Sequence, residues 1–275
     1  MELKDKNIKK IFRKKGACSH TGFYLLNEEF GNNKPNEEHA TDPFGGGVVQ
    51  QGHQCGFLWG TSMAVATEAY NRYPNKSVAT EIAIKATRHI MDSFKDQTGV
   101  HNCREFTKSN FTKPLGLVKY LITGKAFACF NLAQKWIPEA YEAAKEGLEI
   151  SGNEKDFEMT SCASEVVKKM SGSDEEQLMV AGFAGGLGLS GNACGALSAA
   201  IWKTILDLVR KGEWKYTLKD KDSKEVMNRF FEETKNKTTC QEITGCRFKD
   251  TKEHSEFIQN GGCSQLINTL ALNNK

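Results

Sequence analysis

The sequence predicts an all-α protein made of two homologous helical modules, residues 1–150 and 151–275, related by a pseudo-twofold duplication. Three observations predict it. Apolar residues recur at three- and four-residue steps in one stretch after another. No run alternates apolar and polar residues as a half-buried strand would. Four cysteines occur in the same order in each half: Cys18, Cys55, Cys103 and Cys129, then Cys162, Cys194, Cys240 and Cys263.

The helices follow in chain order. Lys4 to Lys15 carries lysines and an arginine throughout and reads as a basic helix with a solvated face. Pro74-Asn75 punctuates the chain before Val78–Phe94, where Ile82, Ile84, Ala86, Ile90 and Met91 recur near helical spacing. Pro114 opens an apolar helix expected to run through Trp136, and Pro138 suits the first turn of another reaching Leu148. Ser161 is placed to cap a helix to Met170, and Asp174-Glu175-Glu176 suits a first helical turn. Asn192–Val209, Ser223–Thr234 and Glu253–Leu272 complete the set. Leu178 to Trp202 is uncharged, but its six glycines make it a buried loop between helices rather than a membrane span.

The repeat is visible in spacing. Phe44 lies 11 positions before Cys55, and Phe183 lies 11 before Cys194. Phe94 stands nine before Cys103, as Phe231 does before Cys240. The cysteine intervals are 37, 48 and 26 in the first half against 32, 46 and 23 in the second. The longer first interval is assigned to a loop at Asn32–Asn36, and the junction to Gly147–Met159, including Ser151-Gly152-Asn153.

Composition excludes several classes. A charge of +3 and a pI near 8.3 are too mild for a nucleic-acid binder. With 39% apolar residues and five prolines the chain is neither disordered nor collagenous. The charged N-terminus shows no secretory h-region, so a cytoplasmic setting without an integral membrane segment is expected. In a reducing compartment nine cysteines point to metal or redox chemistry rather than disulfides.

The order cysteine, Gly-rich element with a second cysteine, and two further cysteines resembles the C-GCAxxG-C-C family of redox-active proteins, in two tandem copies. Gly191-Asn192-Ala193-Cys194-Gly195-Ala196 carries the better match, and Gly52-His53-Gln54-Cys55-Gly56 the other. The motif's first Gly is Gln54 or Ala193 here, its Ala is Gly56 or Gly195, and Gly60 arrives one position late. The resemblance implies helical modules whose cysteines serve redox chemistry, with all eight as candidate iron–sulfur ligands.

Four cysteines per half satisfy a [2Fe–2S] or [4Fe–4S] cluster, or an all-thiolate zinc site. The chain has no C-x-x-C, which argues against zinc ribbons and thioredoxin-type motifs. Cys55, Cys194 and Cys263 each follow a glycine closely and precede an apolar run, so they are expected at helix N-termini, which favour thiolate. Cys129 sits among residues that equally suit core packing.

Three readings compete. The first is an electron-transfer protein with iron–sulfur clusters and a protein donor or acceptor. The second is a thiol–disulfide enzyme, with Cys240 and Cys246 as a candidate pair. The third is a structural zinc protein. His20, His53 and His101 each stand two residues from a first-half cysteine, where the second half has Ser164, Asn192 and Thr238. They are expected to face the first site and to raise its potential as pH falls. Gly186-Leu-Gly188-Leu-Ser-Gly191 spells G-x-G-x-x-G, but no strand precedes it; its glycines are read as tight turning beside a cysteine.

Overall fold

The computed structural model describes residues 3–150, 157–215, 217 and 220–272. Among the described residues there is no strand; fifteen α-helices and three short 3₁₀ turns make the fold. After α1 (Ile8–Lys15), the first half runs α2 (Cys18–Phe30), α3 (Pro35–His39), α4 (Gly56–Arg72), α5 (Lys76–Thr98), α6 (Cys103–Thr107), α7 (Pro114–Ile122) and α8 (Lys125–Leu148). The second runs α9 (Cys162–Lys169), α10 (Asp174–Met179), α11 (Gly195–Lys211), α12 (Lys221–Thr234), α13 (Cys240–Thr244), α14 (Thr251–Gln259) and α15 (Ser264–Leu270). From α2 onward the two orders correspond one for one, including a 3₁₀ turn before each Gly-rich loop, at Asp42–Phe44 and Ala181–Phe183.

The caps explain most boundaries. Asn75 accepts from the Ser77 and Val78 amides at 2.9 and 3.1 Å and starts α5. Ser161 accepts from the Ser164 amide at 2.9 Å, and Ser173 with Glu176 forms a capping box on α10. α4 and the first three turns of α11 are buried on nearly every side. One hydrophobic cluster extends across both halves. Across it α4 packs on α10 and α11 on α3, while Phe44 meets its counterpart Phe183 edge-on at 5.8 Å.

Four expectations are corrected. The helix from Pro114 breaks at Thr123-Gly124, where Gly124 takes φ 69°, and resumes as α8. Pro138 does not start a helix; α8 runs through it. Proline forfeits one backbone bond there, but the buried Trp136, Ile137 and Ala140 hold α8 against α5. Glu253–Leu272 is two helices, separated by a turn in which Gly261 and Cys263 are left-handed. The five extra residues of the first cysteine interval lie in α2, 13 residues long against eight for α9, and not in a loop at Asn32–Asn36. Ser151-Gly152-Asn153 of the expected junction lies outside the described residues.

Candidate functional site

Three of the four first-half cysteines and all four second-half cysteines stand at the start of a helix. Cys18, Cys103, Cys162 and Cys240 are first residues of α2, α6, α9 and α13. Cys55, Cys194 and Cys263 are the N-caps of α4, α11 and α15, as their glycine-preceded settings predict. Free N–H groups at such ends can point at sulfur. The Cys18 sulfur accepts from the Ser19 and Gly46 amides, Cys162 from Ala163 and Gly185, and Cys194 from Ala196 and Leu197.

Gly46 and Gly185 are counterparts, each two residues after its phenylalanine. Each opens a run of five consecutive left-handed residues, Gly46–Gln50 and Gly185–Leu189. Left-handed turning is strained for anything but glycine, yet Val48, Val49, Gln50, Leu187 and Leu189 adopt it. The run reverses the chain so that a glycine amide meets the first cysteine while the chain continues to the second. This is the use the structure makes of the G-x-G-x-x-G stretch: tight turning beside a cysteine.

A short antiparallel bridge ties the second cysteine to the third. In the first half the Cys55 amide donates to the His101 carbonyl at 2.8 Å and the Cys103 amide to the His53 carbonyl at 2.7 Å. In the second, Cys194 donates to Thr238 at 3.2 Å and Cys240 to Asn192 at 2.6 Å. The positions two before each cysteine are thus used through their carbonyls, so their side chains are free to differ.

Two of the three histidines have side-chain partners other than a cysteine. His20 contacts Asp42 through Nδ1 at 3.1 Å, and His101 Nε2 lies 3.1 Å from the Met91 carbonyl. Burial and the Arg104 guanidinium push the His53 pKa down. Among the described residues no hydrogen bond joins a histidine to a cysteine sulfur.

The helix starts bring the thiols together. In the second half Cys162, Cys194, Cys240 and Cys263 line one small cavity. In the first, Cys55 feels the charges of Cys18, Cys103 and Cys129. The Cys55 thiol donates to Cys18; this bond, with the backbone donors, holds Cys18 below the ordinary thiol range and Cys55 well above it. Burial pushes Cys129 up to about 11 and Cys162, Cys194 and Cys263 to about 12, and raises Cys103 and Cys240 too. All nine cysteines are free thiols. Cys246 is exposed and does not line the second-half cavity.

The fourth cysteine differs between halves. Cys263 caps its helix, whereas Cys129 is the fifth residue of α8, so the three-residue difference in the last interval lies here. Tyr120 donates its hydroxyl to Cys129, which gives that cysteine a specific partner.

Two residue sets escaped the sequence reading. Phe111 stacks on Tyr120 at 5.2 Å, and Phe248 on Phe257 at 5.2 Å; both first members stand eight after the third cysteine. That repeated offset was available as a signal. His254 was not legible. It is 1% exposed, lines the second-half cavity, stands edge-on to Phe248 at 4.9 Å, and leaves Nδ1 without a partner. Its counterpart, the fourth residue of α7, is Leu117.

A duplicated helical scaffold that gathers four thiols in each half defines a class of cysteine-based redox protein. The sequence model of the family described as "Putative redox-active protein (C_GCAxxG_C_C)" matches residues 17–142 and again 160–273. The chain belongs to this family and carries its module twice. No curated protein and no solved structure gives a significant match.

Proposed function

We propose that the chain is an electron-transfer protein whose halves each hold one iron–sulfur cluster, on Cys18, Cys55, Cys103 and Cys129 and on Cys162, Cys194, Cys240 and Cys263, serving a donor or acceptor protein. The observation that carries this reading is the gathering of the thiols, seven of the eight at helix starts, with backbone N–H groups aimed at sulfur. Such donors stabilise thiolate and tune potential. Bound iron would supply the one-electron couple. The chain supplies deprotonatable thiols, N–H donors and burial.

Four thiolates per half satisfy either a cluster or one zinc ion, and the two differ in how far apart they hold the sulfurs. With metal–sulfur bonds near ~2.3 Å, four sulfurs around one ion stand roughly 3.8 Å apart. Among the described residues no three His, Cys, Asp or Glu side chains are arranged to hold a single metal ion. The irons of a cluster are separated, so its ligands are spread more widely.

A second reading rests on two observations: the Cys18–Cys55 hydrogen bond and the closeness of the second-half cavity. The lowered Cys18 thiolate would attack a disulfide substrate and release one thiolate. Cys55 would then attack the mixed disulfide and release the second. The substrate gains two electrons as Cys18 and Cys55 are oxidised to a disulfide. This pair replaces Cys240 and Cys246, since Cys246 lies outside the cavity.

Anaerobic purification with iron, sulfide and zinc analysis separates the readings. Iron and sulfide with visible charge-transfer bands are expected, halved by Cys55→Ser or by Cys194→Ser and abolished by both together. Metal-free protein that forms a Cys18–Cys55 disulfide on oxidation would overturn the cluster and establish the dithiol. Stoichiometric zinc without iron would overturn both.

A further inference from the structure

Eight large hydrophobic side chains are exposed among the described residues, and six of them fall in one short stretch: Leu115, Leu117, Val118, Leu121, Ile122 and Phe127. Five lie on α7, which faces inward with Gly116 and Tyr120. The close approach there is specific, since a Cβ on Gly116 would fall 1.7 Å from the Asn110 carbonyl oxygen. Pro114 and Leu117 border a cavity shared with α12, while Leu115, Val118, Leu121 and Ile122 are uncovered.

The molecule contains its own control. α14 is the same helix of the second half, also nine residues long, and its exposed positions are Lys252, Glu253, Glu256 and Gln259. The fold is therefore satisfied by a polar helix here, and an apolar one has another use. A contiguous exposed apolar patch marks an interaction surface.

Charge says which surface. Residues 106–138 contain five lysines and no carboxylate. Lys113 and Lys119 are exposed beside the apolar face. The basic helix α1 adjoins it through α8: the Arg13 guanidinium lies 5.3 Å from the Phe130 ring centroid, and Lys9 Nζ contacts Asn131 Oδ1 at 2.5 Å. Phe127, Phe130 and Asn131 share a face of α8 at helical spacing. An apolar helical face rimmed by lysine and arginine, without acidic groups, matches the interfacial region of an anionic bilayer. A second copy fits less well, because a twofold contact through α7 would set these lysines against their own equivalents.

We propose that α7, with the start of α8 and the basic face of α1, docks the protein on anionic lipid membranes. Leu115, Val118, Leu121, Ile122 and Phe127 enter the headgroup–acyl boundary, and the lysines meet lipid phosphates. The inference stands apart from the cluster reading. It places the first-half thiols nearest the bilayer, because Tyr120 of α7 bonds Cys129.

The test is flotation of the full chain with vesicles of phosphatidylglycerol and phosphatidylcholine, and with phosphatidylcholine alone. Binding to the anionic vesicles is expected, at least about tenfold tighter than to the neutral ones and weakened by salt. Lys113→Gln with Lys119→Gln should weaken it about 25-fold, at about fivefold per lysine. Val118→Ser with Ile122→Ser should weaken it about tenfold or more, with helix content and thiol count unchanged. Failure to bind either vesicle would overturn the proposal and leave the face to an acidic protein. So would a dimer in light scattering that Val118→Ser with Ile122→Ser dissolves, or lipid binding indifferent to those two substitutions. None of these outcomes bears on metal content, so the two proposals fail separately.

Discussion

Gly60→Ala is expected to open the first thiol site from a distance. Gly60 lies on α4 where it crosses α2, and a Cβ there would fall 2.0 Å from the Ser19 carbonyl oxygen and 3.0 Å from the Phe23 amide nitrogen. Real Cβ contacts essentially never come under 3.0 Å, so the helices must part by about 1 Å. Alanine gains about 1 kcal/mol in helix propensity. Against that, a gap of this size forfeits a quarter to a half of each contact across the interface, and overpacking costs about 1–3 kcal/mol or more. The loss wins, with a net destabilisation of about 2–3 kcal/mol. Gly22→Ala is the matched control: its Cβ would sit 3.2 Å from Phe57 O and Thr61 Cγ2, which need yield only slightly. It should be neutral within about 1 kcal/mol. The site supplies a second readout. α2 begins at Cys18 and Cys55 caps α4, so parting the helices breaks the Cys18–Cys55 hydrogen bond and lets burial raise Cys18. Urea unfolding and residue-resolved alkylation at pH 7.5 measure both effects, and Cys18 should alkylate more slowly in Gly60→Ala alone. Equal stabilities and equal Cys18 rates in the two variants would refute the reasoning.

Three further outcomes follow from the structure. Metal-free protein should lose stability as pH rises from 9 toward 12, because unfolded thiols ionise near 9.0 while Cys129, Cys162, Cys194 and Cys263 hold their protons to about 11 or 12; urea midpoints at pH 7.5, 9 and 10.5 would show it, and a flat profile would count against burial of the thiols. On the acid side, burial holds His254 neutral down to about 4, whereas the unfolded residue takes a proton at 6.5. Wild type should therefore lose about 3 kcal/mol more than His254→Leu between pH 7 and 4, in paired urea titrations of metal-free protein; parallel curves would contradict the buried placement. Gln50→Gly should raise stability by about 1 kcal/mol in the same assay, by relieving a left-handed residue at φ 63°.

Much of this protein was legible in its sequence, and for identifiable reasons. The helical class follows from local periodicity, and the capped starts at Asn75, Ser161 and Asp174 follow from side chains that bond amides two or three residues away. Such information is local, so a linear reading recovers it. The duplication is legible because cysteine and phenylalanine offsets survive in both halves. The errors fall where distant packing overrules local preference. Pro138 should end a helix, but Trp136, Ile137 and Ala140 are buried against α5, and that burial outweighs one lost backbone bond.

The candidate site divides the same way. Sequence alone grouped the eight cysteines by their repeated order and placed Cys55, Cys194 and Cys263 at helix starts, where they stand. Only the tertiary structure decided what surrounds them. The histidines two residues from the first-half cysteines looked like site groups, but the backbone bridge uses the carbonyls of His53 and His101, and the His20 and His101 rings meet Asp42 and the Met91 carbonyl. Tyr120 lies nine residues from Cys129 and His254 nine from Cys263; in the second half the left-handed Gly261 and Cys263 turn the chain between α14 and α15. Nearness along the chain specifies neighbours within one helical turn. Beyond that, the packing of whole helices determines which side chain meets a sulfur, because burial is shared among residues far apart in sequence.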